Sequence, residues 1–132
     1  MSSRVIEIIT SSFTKLLIPG LVYTIPITLI SFAIGLLIAI VTALIRVKKI
    51  KVLSQIIQFY VWIFRGTPLL VQLFIIYYGL PSVGIVLEAF PAAIITFSLN
   101  VGAYSSETVR GAILSVDKRQ LEACYSVGMT YF

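Results

Sequence analysis

Few side chains in this 132-residue chain can bind or move anything, and they fall in four places. Arg65-Gly66-Thr67-Pro68 sets a guanidinium beside a helix break, an arrangement that marks a pathway or a gate at membrane depth. The bare tetrapeptide fits a simpler role better: Arg65 snorkels to lipid phosphates, Pro68 bends the chain, and Thr67 caps the helix that follows. Gln72 and Asn100 are amides inside apolar runs. Neither can be buried alone, so each needs a partner on another helix or along a water-filled path. Glu107 and Arg110 share a helical face three residues apart and can pair, either lining a cavity or anchoring a helix end. Finally, Glu122, Ala123, Cys124 and Gly128 give a helix a smooth surface that another protein can approach closely. They equally describe a plain helix with Gly128 as its stop. His is absent and Cys124 is the only cysteine, which excludes histidine catalysis, a Cys/His metal cluster and an internal disulfide. No catalytic group, metal or cofactor is expected.

The elements that carry these residues are unusually apolar. Apolar residues make up 59% of the chain and charged residues 11%, against roughly 45–50% and ~25% in a soluble domain. Disorder, a disulfide scaffold and most soluble folds are excluded; an all-α integral membrane protein remains. The net charge of +5 does not indicate nucleic acid, because the basic residues gather between the apolar runs, where they set orientation in lipid.

Residues 16–45 carry no charge. As one straight helix they would measure ~45 Å, against a hydrocarbon core of about 30 Å. Pro19-Gly20 marks a break, which places the first span at about 21–45. A signal peptide is too short to account for it and no small-residue cleavage site follows. Residues 1–15 suit a helix lying in the interface or an extension of this span. The second span, 52–80, begins as an amphipathic helix near the inner interface, kinks near Pro68 and ends at Gly79 and Pro81. Tyr77 and Tyr78 belong to an aromatic belt near its outer end. Pro91 opens the third span, 91–114, and 115–132 reads as a loop and short helix outside the lipid. Arg46, Lys48, Lys49 and Lys51 follow the first span, Arg110, Lys118 and Arg119 the third, and the loop between spans two and three has no Lys or Arg. Three crossings then run from an outside N-terminus to a cytoplasmic C-terminus.

Three strings, YVWIFRGTPLLVQLFIIYYGLP (60–81), GAYSSETVRGAILS (102–115) and QLEACYSVG (120–128), together resemble the membrane permease subunits of ABC importers for polar amino acids. The first two, in this order and spacing, are specific; the third is weak alone. The resemblance runs from about Gly20 to Phe132. It implies a type I importer permease fold and a multi-pass place in the cell membrane. It also implies a cytoplasmic ABC ATPase dimer, an extracytoplasmic solute-binding protein, and a second permease subunit, the same or a sister. Glu122, Ala123, Cys124 and Gly128 align with the family's ATPase-docking motif, Glu-Ala-Ala then Gly then Ile-x-Leu-Pro. Cys124 replaces the second Ala and Arg119 stands where Gly is usual. The Ile-x-Leu-Pro and two further spans would fall after Phe132, so the chain looks like the first three-fifths of a permease. By itself such a piece is expected to be unstable and unable to transport.

The expected function is that of a permease subunit, not an enzyme. It moves polar amino acids inward by alternating access driven by a separate ATPase, with Arg65, Gln72, Asn100 and Glu107 as candidates for the pathway or gate. Two alternatives stand beside it: a non-transporting remnant or assembly partner, and an ion-coupled carrier subunit. The carrier is weakened because the one acid available to it, Glu107, lies at a span's end.

Overall fold

A chain this apolar must satisfy its backbone internally. Every regular element among residues 2–130, the part described by the computed structural model, is helical. Helix α1 (Ser2–Pro19) passes through a π turn (Gly20–Thr24) into α2 (Ile25–Val47). The expected break at Pro19-Gly20 is not made: Ser11–Val47 is one helix of 37 residues. Pro26 supplies the physical reason. Its ring nitrogen has no N–H for the carbonyl one turn back, and the π turn just before it rewinds the ladder instead of ending it. The N-terminal segment therefore extends the first helix. The same device recurs at the π turn Ile75–Gly79, two residues before Pro81. There too the chain runs past the expected end, through a 3-10 turn (Leu80–Val83), and stops at Gly84, whose φ of 87° is left-handed.

Lys49, also left-handed at φ 52°, turns the chain into α3 (Lys51–Gly66). Between α3 and α4 (Leu69–Phe74) the path bends by 109°. Thr67 is extended, as a residue preceding proline must be. It does not cap α4; its hydroxyl donates backward to the Ile63 carbonyl at 2.8 Å. Helix α5 (Ala89–Leu114) and the short α6 (Lys118–Ser126) complete the chain.

The core is the seam between α2 and α5, which run parallel: Ser31 lies against Ile94, Gly35 against Val101, Ile38 against Gly102 and Arg46 against Glu107. On α2 the seam is a small residue every fourth position, Ser31, Gly35, Ala39 and Ala43, all buried. Ala92, Thr96, Gly102, Ala103 and Ser106 face it from α5. Small side chains let two backbones approach where lipid offers no hydrophobic drive to bring them together. A Cβ on Gly35 would sit 2.7 Å from Val101 Cβ and 2.9 Å from the Ser98 carbonyl oxygen; on Gly102 it would sit 2.7 Å from Ile38 Cγ2. Thr42 and Thr96 return their hydroxyls to their own helix, at Ile38 and Ala92.

Among the described residues one helix, Ser11–Val47, is long and apolar enough to cross a membrane, and the bent pair Lys51–Gly66 and Leu69–Val83 passes together as a second. Helix α5 has the length, 26 residues, without the apolarity. Its small and hydroxyl-bearing residues serve the seam with α2 and lower its hydropathy.

Gly35→Ala is expected to destabilise the chain by about 1–3 kcal/mol through overpacking at the seam. Gly111→Ala, with nothing within 4 Å of the new Cβ, is expected to be neutral or to stabilise by up to ~1 kcal/mol through helix propensity. Thermal unfolding of both variants in the same detergent checks the pair.

Candidate functional site

An α-helix leaves its last carbonyls without intrahelical partners, and at the end of α3 a side chain takes them up. Gln72 Nε2 donates to the carbonyls of Phe64 and Thr67, both at 2.7 Å. Its Oε1 accepts from Asn100 Nδ2 at 3.1 Å. Gln72 is only 5% exposed, yet both ends of its amide are bonded. One side chain therefore caps the broken helix, fixes the bend and ties it to α5. This is the interhelical reading of Gln72 and Asn100. Two tyrosines add to the tie: the Tyr60 hydroxyl donates to the Leu99 carbonyl and the Tyr104 hydroxyl to the Arg65 carbonyl at 3.3 Å.

Glu107 is the second centre. Its Oε2 accepts from Arg110 Nε and an Arg110 terminal nitrogen at 3.1 and 3.0 Å, the pair expected from spacing. Its Oε1 takes Arg46 from α2. Sequence reasoning assigned Arg46 only to the orientation cluster. The signal for its role was available, since Arg46 is the member of that cluster that falls inside the apolar helix, where a charge needs a partner.

Between the two centres lies a cleft of about 440 Å³ that includes Arg46, Gln58, Trp62, Arg65, Tyr104 and Glu107 in its lining. The Arg65 guanidinium stands over the Tyr104 ring, 5.5 Å from its centroid. Of the four residues expected to line a pathway or gate, Arg65 and Glu107 reach this cleft, while Gln72 and Asn100 form the bonded network at the bend. A smaller cavity of about 230 Å³ touches Asn100 on its other side, beside Ser31 and Leu69.

Glu122, Ala123, Cys124 and Gly128 lie away from both centres, and all four are exposed. Asp117 caps α6 by accepting from the Arg119 N–H at 3.0 Å, so Arg119 continues the helix start without difficulty. At the other end Met129 N–H donates to the Cys124 carbonyl and Gly128 N–H to the Tyr125 carbonyl, with Gly128 left-handed at φ 79°. That is a Schellman closure. Gly128 thus has a backbone reason to be glycine, independent of any partner.

This arrangement holds a bent helix and a charged cleft and presents a small exposed helix. Residues 35–132 match the family model described as binding-protein-dependent transport system inner membrane component. The chain belongs to that family. Its relatives include the L-cystine transport system permease protein TcyB of Bacillus subtilis, 50% identical over 125 residues, covering 95% of this chain and 53% of TcyB. The arginine transport system permease protein ArtQ of the same organism is 40% identical over 116 residues, covering 87% and 53%. Among solved structures, the crystal structure of an amino acid ABC transporter with histidines superposes with a TM-score of 0.81 at 38% identity, over 92% of this chain and 57% of that one. The fold is thus that of an ABC importer permease, and this family member spans about half the length of the curated relatives it matches.

Two outcomes follow from the geometry. Gln72→Leu leaves two carbonyls and the Asn100 amide without partners and is expected to destabilise by on the order of 2–3 kcal/mol. Thermal unfolding, with protease sensitivity at the bend, checks it. Arg46→Met and Glu107→Gln are each expected to destabilise, and the double variant by less than their sum, with a coupling of about 1–3 kcal/mol. Equal and additive losses would show that the pair carries no energy.

Proposed function

We propose that this chain is the translocating part of an ATP-driven importer of polar amino acids, working by alternating access. The observation that carries the reading is 50% identity to a cystine permease across 95% of the chain, within a family of transport-system membrane components. The other named relatives point to the same substrate class. ATP hydrolysis belongs to a separate subunit pair, substrate arrives from an extracytoplasmic binding protein, and a second permease subunit, identical or sister, completes the path.

In this reading α6 meets the ATPase. The spans lie at about 21–45, 52–80 and 91–114, and the docking loop at 115–132, whose residues 131–132 lie outside the described residues. Arg46, Lys48, Lys49, Lys51, Lys118 and Arg119 then mark the cytoplasmic side, which puts α6 where an ATPase can reach it. Glu122, Ala123 and Cys124 leave a low surface for an ATPase cleft, and Gly128 ends the helix so that the surface is short. Arg65 and Glu107 on the charged cleft, with Gln72 and Asn100 behind it, form the candidate gate. Glu107 links α2 to α5, so any access change that parted those helices would have to break this ion pair.

The test is co-expression with the ATPase and binding protein of the same transport system, followed by uptake of labelled cystine, arginine and glutamine. Uptake of at least one is expected, and loss of it on ATP depletion with the proton gradient held. Persistence without ATP would assign an ion-coupled carrier instead. Ala123→Trp, on an exposed helical position, is expected to reduce ATPase co-purification and uptake together by about tenfold or more while leaving the membrane level of the chain unchanged. Gly128→Ala reports on the helix end, because φ 79° is strained for alanine.

A further inference from the structure

We propose that the cleft between α2, α3 and α5 is a binding site for the phosphate of an anionic phospholipid headgroup, with Arg65 as its principal ligand. Charge is the first observation. Arg46 and Arg65 line the cleft with a single carboxylate, Glu107, which already bonds Arg46 and Arg110. Arg65 is left over. Among the described residues its guanidinium has no carboxylate and donates no hydrogen bond; it stands over the face of Tyr104. Gln58, exposed on the same cleft, also has no hydrogen-bond partner for its amide among the described residues. The cleft thus presents a planar five-donor cation, oriented by an aromatic ring, next to a second neutral donor. That combination suits a tetrahedral oxyanion better than a cation or an apolar ligand.

Lipid, as opposed to a soluble anion, is indicated by what borders the cleft. Trp62, in its lining, is 71% exposed and stacks on Phe59, itself 62% exposed. Val52 and Ile56 continue the same exposed apolar stripe along α3. An amphipathic helix with an exposed indole beside an arginine places the ring at headgroup depth and the acyl chains along the stripe. A basic pocket between helices at that depth suits an anionic headgroup. The proposal rests on the membrane reading of α3, gives Arg65 a lipid ligand in place of a part in the gate, and is independent of which amino acid is carried.

The full chain is to be reconstituted into phosphatidylcholine vesicles with and without added phosphatidylglycerol, re-extracted in neutral detergent, and its retained lipid measured by native mass spectrometry. Selective retention of phosphatidylglycerol is expected. Arg65→Gln is expected to lower it by about tenfold, the loss of one charge-assisted contact, and Gln58→Leu to lower it severalfold without touching the Tyr104 contact. Lys51→Gln removes the same charge elsewhere and is expected to leave retention unchanged. Equal loss with Lys51→Gln, full retention with both Arg65→Gln and Gln58→Leu, or no preference over phosphatidylcholine overturns the site. Displacement by millimolar inorganic phosphate, with matching thermal stabilisation by phosphate alone, assigns the cleft to a soluble anion instead. Failure of the wild-type chain to enter either bilayer removes the membrane reading itself, an outcome separate from loss of lipid preference.

Discussion

The structure depends on how the backbone is satisfied where α3 stops. A helix that breaks inside an apolar protein releases carbonyls that neither lipid nor neighbouring apolar side chains can bond. Gln72 answers for two of them with one amide, from six residues beyond the break. Because its remaining oxygen is held by Asn100, the bend is set by α5 as much as by Pro68. Proline forbids a straight continuation, but it does not choose the 109° turn; the amide bonds select it. Everything on α3, including Arg65, Trp62 and the cleft they share, is placed by that selection.

The α2–α5 seam supplies the fixed reference against which the bend is held. Its small residues bring the backbones close along most of both helices, and close approach leaves no room for long polar chains until the end, where Arg46 and Glu107 meet. The two kinds of contact are complementary. Packing at Gly35 and Gly102 aligns the helices without specifying a charged partner, while the ion pair fixes their axial register. Leu37 and Val41, on the other face of α2, are exposed among the described residues, an apolar outer face of the kind that lipid or a further protein surface covers.

Much of this was legible in the sequence, because composition and breakers speak directly to helix and bend. The uncharged run 16–45, the kink at Pro68, the pairing of Glu107 with Arg110 and the short helix after Asp117 all follow from local spacing. The prolines misled where a π turn intervened: Pro19-Gly20 and Pro81 read as ends, yet a wider turn before Pro26 and before Pro81 lets the helix continue. The role of Thr67 failed for a similar reason, since its extended backbone turns the hydroxyl back toward α3. Gln72 and Asn100 could be flagged as needing partners, but not as each other's, because 28 residues and a bend separate them. Arg46 and Glu107, 61 residues apart, were likewise beyond any local pattern. The family's short strings identified the class, and the separate reading of Gly128 as a helix stop is met by its left-handed closure.

The parallel pairing of α2 with α5 has a temporal side. Ser31 and its contact at Ile94 are 63 residues apart in the chain, and a ribosome adding about 5–20 residues per second needs roughly 3–13 s to cover that distance. During this interval α2 is already made while its seam and Arg46 have nothing to meet. Thr42 is insulated because it bonds its own helix; Arg46 is not. The α2 helix therefore emerges as a waiting surface whose charged end needs water, headgroups or a chaperoning neighbour until Glu107 is synthesised.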